Sequence, residues 1–500
     1  MRAKRSRFPN PYRYLSLSRF LTPAQLAAIG VLVVSAIALL LRPVVGLADN
    51  GDYFRILYSN GLYFNRPDYD SQYLGYFVRQ FGILQYFNEN GALLASSQSI
   101  FIRAAVWLNR LVYDSQVFDI RFQAVLYILL YSAAVFLLVE SLTWNIHRKY
   151  GYGIAALAVF VFGDTGYTSF FNSFYSESVV LIATMTMFAT GLLFYRNRYN
   201  DYVLMAIFLG SSLLLTTSKQ QNAPVGIAIA IVGLLFIYLR KESVYRVLTA
   251  ASLGLILFAG VATYVLIPQQ FVNINKYHAM TRGVMMEAGN PEKALDQFGI
   301  DPQYAILNKS IYYEPFTTVD VNSGLLQRHF YDHYGFGSIL LYYALHPDQG
   351  IQMLDAAARS AFTIRPIGIG NYEQAVGKPF GAQTNFFTAY SWLKDAAAPK
   401  TFGFIVIWAI VVIGVYAPSF VLAVRKRQLR PALRLPLLLM MMVVGLSGIV
   451  VSLIGAGDAD LAKHEFLFTA AFDLVSFVTV SDLFRRRLWR GETEGGVQRP

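Results

Sequence analysis

Ten apolar runs, each nearly free of charge, constrain this chain more than any motif in it. They fall at about 24–44, 123–144, 150–163, 178–195, 202–218, 223–239, 248–267, 401–423, 435–454 and 466–484. A helix of about 20 residues spans a hydrocarbon core of about 30 Å, so runs of this length read as membrane spans. Backbone polar groups in hydrocarbon must be satisfied within the segment, and the runs are too long and uniform for barrel strands. The fold class expected is therefore an all-α polytopic membrane protein of about ten transmembrane helices. The third run is short and calls for Arg148 and Lys149 to snorkel toward the interface. The basic segment before the first run, with no A-x-A-like site closely following it, favours an uncleaved first helix over a signal peptide.

Charge placement supplies an orientation. Arg2, Lys4, Arg5, Arg7, Arg13 and Arg19 precede the first run, and Arg148 with Lys149 follow the second. Arg196 and Arg198, then Arg240, Lys241 and Arg246, occupy alternate later loops, as do Arg425, Lys426, Arg427, Arg430 and Arg434. Arg485, Arg486, Arg487 and Arg490 follow the last run. The intervening short loops hold little beyond Lys219 and Lys463. Short loops rich in Lys and Arg stay cytoplasmic, so both termini are expected on the cytoplasmic side of the membrane. The formal charge of +12 is thereby assigned to membrane anchoring, and no nucleic-acid partner is expected. With no cysteine, disulfides and Cys-based metal sites are excluded.

The division expected is an N-terminal transmembrane module over 1–267 with a first outer loop at 45–122, an outer loop domain over 268–400, C-terminal helices over 401–484 and a cytoplasmic tail at 485–500. Within the first outer loop, Ile100, Phe101, Ala104, Ala105, Leu108 and Leu111 recur at helical spacing, with Arg103 and Arg110 assigned to the opposite face. Such a helix is expected to lie in the membrane interface.

The polar motifs gather on the face opposite the basic loops. "LADNGDYFRI" places Asp49, Asp52 and Arg55 at successive three-residue steps just beyond the first span. Asp52 and Arg55 share a face if the segment is helical, and Asn50-Gly51 suits a turn. A carboxylate there can act as a general base or hold a divalent ion, and the guanidinium can bind a phosphate. "GDTGYTSFFNSFYSES" carries Asp164 and Glu177, either of which could also serve as a plain helix cap. "TTSKQQNAP" places Lys219, Gln220 and Gln221 at the outer end of the fifth run, where an ammonium suits a lipid phosphate. "GAGDADLAKHEFLF" offers Asp458 and Asp460 as the residues that could ligate a divalent metal, with Lys463 and His464 as anion ligands. "GNYEQAVGKPFGAQTNFF" suits a ligand-facing loop in which Tyr372, with Trp392 nearby, can stack on a sugar. His329, Asp332 and His333 lack the Glu of a zincin motif, and no P-loop, dinucleotide fingerprint or nucleophile elbow occurs.

In "NGDYFRI", "NSFYSES", "GNYEQAVGKPFGAQ" and "KHEFLF" the chain resembles the GT-C class of membrane glycosyltransferases, and most of all bacterial hexosyltransferases of surface-glycan assembly. The resemblance implies an inverting transfer of a sugar from a polyprenyl-phosphate donor to a glycan or lipid acceptor on the outer face. By that likeness Asp52 or Asp49 is the base, with Glu177 a further catalytic candidate. Arg55, Lys219, Gln221, Lys463, His464 and Tyr372 are then substrate ligands. "DNGD" departs from a contiguous acid pair, which leaves open which Asp is the base and whether Mg or Mn takes part. No other cofactor is expected. A polysaccharide polymerase or ligase shares the topology, and a lipid-linked-glycan transporter is the further alternative, although its polar residues are expected nearer mid-membrane.

Overall fold

The computed structural model describes residues 21–86, 95–144, 146–314, 316–459 and 461–484. The basic clusters at 2–19 and 485–490, the tail, and Asp460 lie outside the described residues. Each of the ten apolar runs forms a helix. Eight helices among the described residues are long and apolar enough to cross a membrane. A ninth crossing arises if the pair Arg148–Phe162 and Thr165–Asn172, bent by 51°, is one span. The remaining run forms a shorter apolar helix, Asp201–Thr216. The protein is thus a polytopic all-α membrane protein.

Local sequence explains the helix starts. Thr22 caps Pro23–Leu40 in a reciprocal capping box with Gln25, whose side chain accepts from the Thr22 N–H at 2.8 Å. Glu177 opens Glu177–Arg196, where its charge complements the N-terminal end of the helix dipole. That helix is the most enclosed of the spans, walled by Arg121–Thr143, Asp201–Thr216 and Phe466–Phe484. Phe402–Arg425 is the most exposed, with Ile407, Ile410 and Val411 facing outward as a lipid-contacting helix requires.

The loops that carry the basic clusters meet at one end of the bundle. Arg240 and Arg430 converge on Asp201 at 2.7 and 2.8 Å, Arg198 pairs with Glu140, and Arg434 pairs with Asp482. The acidic motifs gather at the other end. There, strand Val45–Leu47 of the loop at 45–122 pairs antiparallel with Ile369–Tyr372 of the segment at 268–400, tying two distant stretches together. A three-stranded sheet of Leu62–Tyr63, Gln80–Ile83 and Val117–Asp119 completes the first loop.

The segment expected as an outer domain splits in packing. Its first part has an aromatic core of its own, including Tyr277, Tyr304, Phe330 and Tyr331. Helix Pro347–Ala361 instead joins a core shared with Ile405, Leu453 and Phe468 of the C-terminal spans.

Helix Gln98–Val112 corrects one expectation about faces. Its buried side is Gln98, Ile102, Ala105, Val106 and Asn109, while Ile100, Trp107 and Leu111 are exposed on the same side as Arg103 and Arg110. Ala105 is buried and Phe101 and Leu108 are half-buried, so the apolar residues straddle both faces and the arginines share the exposed one instead of standing opposite the stripe. An interfacial helix can present apolar side chains to lipid and long basic ones to headgroups from one surface, so apolar spacing alone does not say which face is buried.

Candidate functional site

Asp49 builds the turn that carries Asp52. Its Oδ1 accepts the backbone N–H groups of Gly51, Asp52 and Tyr53 at 2.9, 3.1 and 3.1 Å. Its Oδ2 accepts from the Tyr69 hydroxyl. Gly51 takes φ of +99°, a conformation that a side chain would strain, and the Tyr73 hydroxyl lies 3.2 Å from where its Cβ would stand. Tyr175 secures the same turn by accepting from the Asn50 N–H at 2.9 Å. Asp49 is buried, and burial raises its pKa against the opposing pull of these hydrogen bonds.

Asp52 emerges from that turn with its side chain 30% exposed. Arg55, one helical turn on, approaches Asp52 Oδ1 at 3.2 Å, and the Lys463 ammonium donates to Oδ2. Burial pushes the Asp52 pKa up, but Lys463 and then Arg55 outweigh it and hold the carboxyl at about 2. Lys463 also sits 4.0 Å above the Tyr175 ring. The two acids therefore differ in kind: both oxygens of Asp49 are held by its own loop and Tyr69, whereas Asp52 reaches the surface between two cations.

The acid and base found separately at the start of one span and the end of another are partners. Lys219 Nζ lies 2.8 Å from Glu177 Oε1, whose side chain is only 2% exposed. The next residues fix His464: its Nδ1 lies 3.2 Å from Gln221 Oε1, and Gln221 Nε2 donates to the His464 carbonyl at 2.9 Å and to Ser452. That amide orientation makes Nδ1–H the donor, leaving Nε2 with a lone pair. Burial, followed by Lys219 and Lys463, lowers the His464 pKa to about 3, so the ring is neutral at neutral pH. The neutral ring brings no charge of its own to the site, and Nδ1–H is the donor it offers.

Arg55, Lys219, Gln221 and His464 line one cavity of about 320 Å³. Its other walls are Tyr264, Phe271, Ile274, Val451 and Ile454, from the far end of Ser243–Val265, helix Gln269–Ala279 and Leu429–Ala456. Cationic side chains at one side of an apolar groove between spans match an amphiphile with an anionic head.

Asp458 has a different employment. Arg282 grips both its oxygens, at 2.7 and 3.0 Å, and the Arg282 carbonyl accepts the Asp458 N–H at 3.0 Å. Arg282 sits in a π-helical turn, Met280–Val284, that lets this approach occur. Gly457 has φ of +60°, and a Cβ there would stand 2.5 Å from the Arg282 carbonyl carbon. The pair docks the loop bearing Lys463 and His464 onto the segment at 268–400. Asp164 caps the short helix Thr165–Thr168 and accepts from the Ser391 N–H at 2.9 Å. Tyr372 lies on the strand that pairs with Val45–Leu47, and its carbonyl accepts from the Phe77 N–H.

Among the described residues the donor set does not suit Mg or Mn. Both Asp49 oxygens already accept hydrogen bonds, Asp52 and Asp458 are each paired with basic side chains, and Asp460 lies outside the described residues. Among the described residues no group of three or more His, Asp and Glu side chains clusters as a metal site.

Residues that the sequence reading passed over include Arg282, Tyr69 and His278. Tyr69 carries no local signal, since its partner lies twenty residues away. His278 accepts from the Tyr312 N–H at 2.9 Å, and burial, then Arg282 and Arg55, lower its pKa to about 4. Arg282 was legible only as a lone base in a loop. No curated protein and no solved structure matches the chain. The family model described as the YfdI N-terminal transmembrane domain matches residues 12–499, nearly the whole chain, and the protein belongs to that family.

Proposed function

We propose that the protein is an inverting glycosyltransferase that uses a polyprenyl-phosphate-linked sugar and works on the outer face of a bacterial inner membrane. The family is associated with glycosyltransferase-like membrane proteins. The observation that carries the reading is the groove, in which Arg55 belongs both to the cationic wall and to the Asp52 ion pair. A lipid phosphate lying there with its chain along Phe271, Ile274 and Val451 would set the anomeric carbon beside Asp52.

In the reaction, the acceptor hydroxyl oxygen attacks the anomeric carbon as Asp52 takes its proton. The bond from that carbon to the phosphate oxygen breaks, and its electron pair leaves with the phosphate. Arg55 and Lys219 stabilise that charge, which is greatest as the bond breaks. With two cations upon it, Asp52 is a weak base in the empty site. A phosphate that draws Arg55 toward itself raises Asp52 basicity at the moment a proton must be taken. Asp49 supports the turn, and Glu177 holds Lys219 in the wall. The acceptor is a glycan or lipid carrying a free hydroxyl.

Gly455 gives a direct test, because it lines the groove and the space where its Cβ would stand is open to 4 Å. Gly455→Trp fills the groove without a backbone clash. It is expected to raise the donor KM by about tenfold or more while leaving the thermal unfolding midpoint near wild type. An unchanged KM with every polyprenyl-phosphate sugar tested would place the donor elsewhere.

A further inference from the structure

We infer that the Lys463 ammonium holds the position beside Asp52 that a divalent cation would take, so that transfer runs on side-chain cations alone. The inference rests on the transferase reading for the role of Asp52, but its geometry stands separately. A divalent ion at a membrane-surface transfer site needs several oxygen ligands, and a carboxylate already matched by a fixed ammonium has lost most of its attraction for one.

Three carboxylates at this end, those of Asp52, Asp458 and Glu177, are each matched by a base from a distant segment. Lys463 reaches Asp52 across 411 positions of sequence. Arg282 reaches Asp458 across 176, and Lys219 reaches Glu177 across 42. Asp49, three residues before Asp52, accepts three backbone N–H groups on Oδ1 and the Tyr69 hydroxyl on Oδ2.

Lys463 is also held from more than one side. The Tyr175 ring underlies its ammonium at 4.0 Å. Its loop is docked by the Arg282–Asp458 pair and by the Asp458 N–H bond to the Arg282 carbonyl. A flexible surface lysine that merely happened to meet a carboxylate would not need such a mounting. Arg55 differs from Lys463 in lining the lipid groove, so the two cations divide the work. Arg55 is shared with the donor phosphate, whereas Lys463 stays with the base, keeping it oriented and charged. An acid flanked in this way retains on entry of the donor the countercharge that a metal would otherwise supply.

The test uses the full-length protein in nanodiscs, treated with EDTA, and follows release of polyprenyl phosphate from the donor. In parallel, Mn2+ is titrated and its bound fraction read by electron paramagnetic resonance, a measurement that does not need turnover. Chelation is expected to leave the rate unchanged, and no Mn2+ signal is expected to depend on Asp52. Lys463→Met is expected to lower kcat by about a hundredfold or more, with partial recovery in Lys463→Arg, because a guanidinium can also pair with the carboxylate. Loss of transfer on chelation with recovery on adding Mg2+ or Mn2+ would overturn the inference. So would a bound Mn2+ that disappears in Asp52→Asn. If no donor supports transfer under either condition, the transferase reading fails. The Mn2+ titration of wild type against Asp52→Asn then still decides the question of the cation.

Discussion

Removing Lys219 should expose how much of the site's stability depends on a buried carboxylate, and the deficit should be curable without restoring the lysine. Glu177 is 2% exposed and Lys219 19%, with 2.8 Å between the charged atoms. Lys219→Met keeps most of the side-chain volume but leaves the Glu177 charge enclosed with its nearest cation gone. Breaking such a buried pair typically costs about 3–5 kcal/mol. Because the lysine end is partly exposed and water can enter, the lower end, about 3 kcal/mol, is expected here. Glu177→Gln added to Lys219→Met removes the stranded charge and should return about 2 kcal/mol, which appears as a coupling energy in the double-mutant cycle. Donor affinity should behave differently. Lys219 belongs to the groove wall, so both the single and the double variant should show a donor KM raised by about tenfold. The assays are chemical denaturation in detergent micelles and polyprenyl phosphate release at varied donor. A double variant no more stable than Lys219→Met would refute the pairing as the cause. A donor KM restored along with stability would refute the direct role of Lys219.

Two other outcomes follow from the same geometry. Asp458→Ala should lower kcat/KM by about tenfold or more through misplacement of Lys463 and His464, with Asp458→Glu recovering part of the loss as it restores the Arg282 contact; equal loss in both variants would contradict the docking role. The folded-state pKa values of His464 and His278, about 3 and about 4, lie below the ordinary 6.5, so the unfolded chain binds more protons below pH 6.5. The contribution of these two rings to stability is accordingly expected to be full above pH 6.5 and to fall as the pH drops toward 4. His278→Gln should flatten that dependence in thermal unfolding scans, and an unaltered slope would sink the assignment.

The sequence made the scaffold readable because hydrocarbon leaves the backbone so few choices. All ten apolar runs became helices, and the alternation of basic loops separated the Arg430 and Asp201 end from the Asp52 end without any coordinates. Asp52 and Arg55 were legible as a pair because residues three apart on a helix are neighbours. The long-range pairings were a different matter. Nothing local in "KHEFLF" says that Lys463 meets Asp52, or that Glu177 and Lys219, each a candidate in its own right, neutralise one another. The charge state of His464 likewise depends on burial and on two lysines brought to it by folding. On Gln98–Val112 the arginines share the exposed face with Ile100 and Leu111, because a surface at the lipid boundary accepts apolar and long basic side chains side by side.

The most direct test of the central claim is polyprenyl phosphate release by purified protein in nanodiscs, with a panel of polyprenyl-phosphate sugars and an acceptor extract, for wild type and Asp52→Asn. Loss of a general base predicts a fall in kcat of about 10²–10⁴ in the variant, with donor binding retained because Arg55 and Lys219 remain. Release by Asp52→Asn at a rate close to wild type would contradict the account, and so would the absence of release from every donor by the wild-type protein.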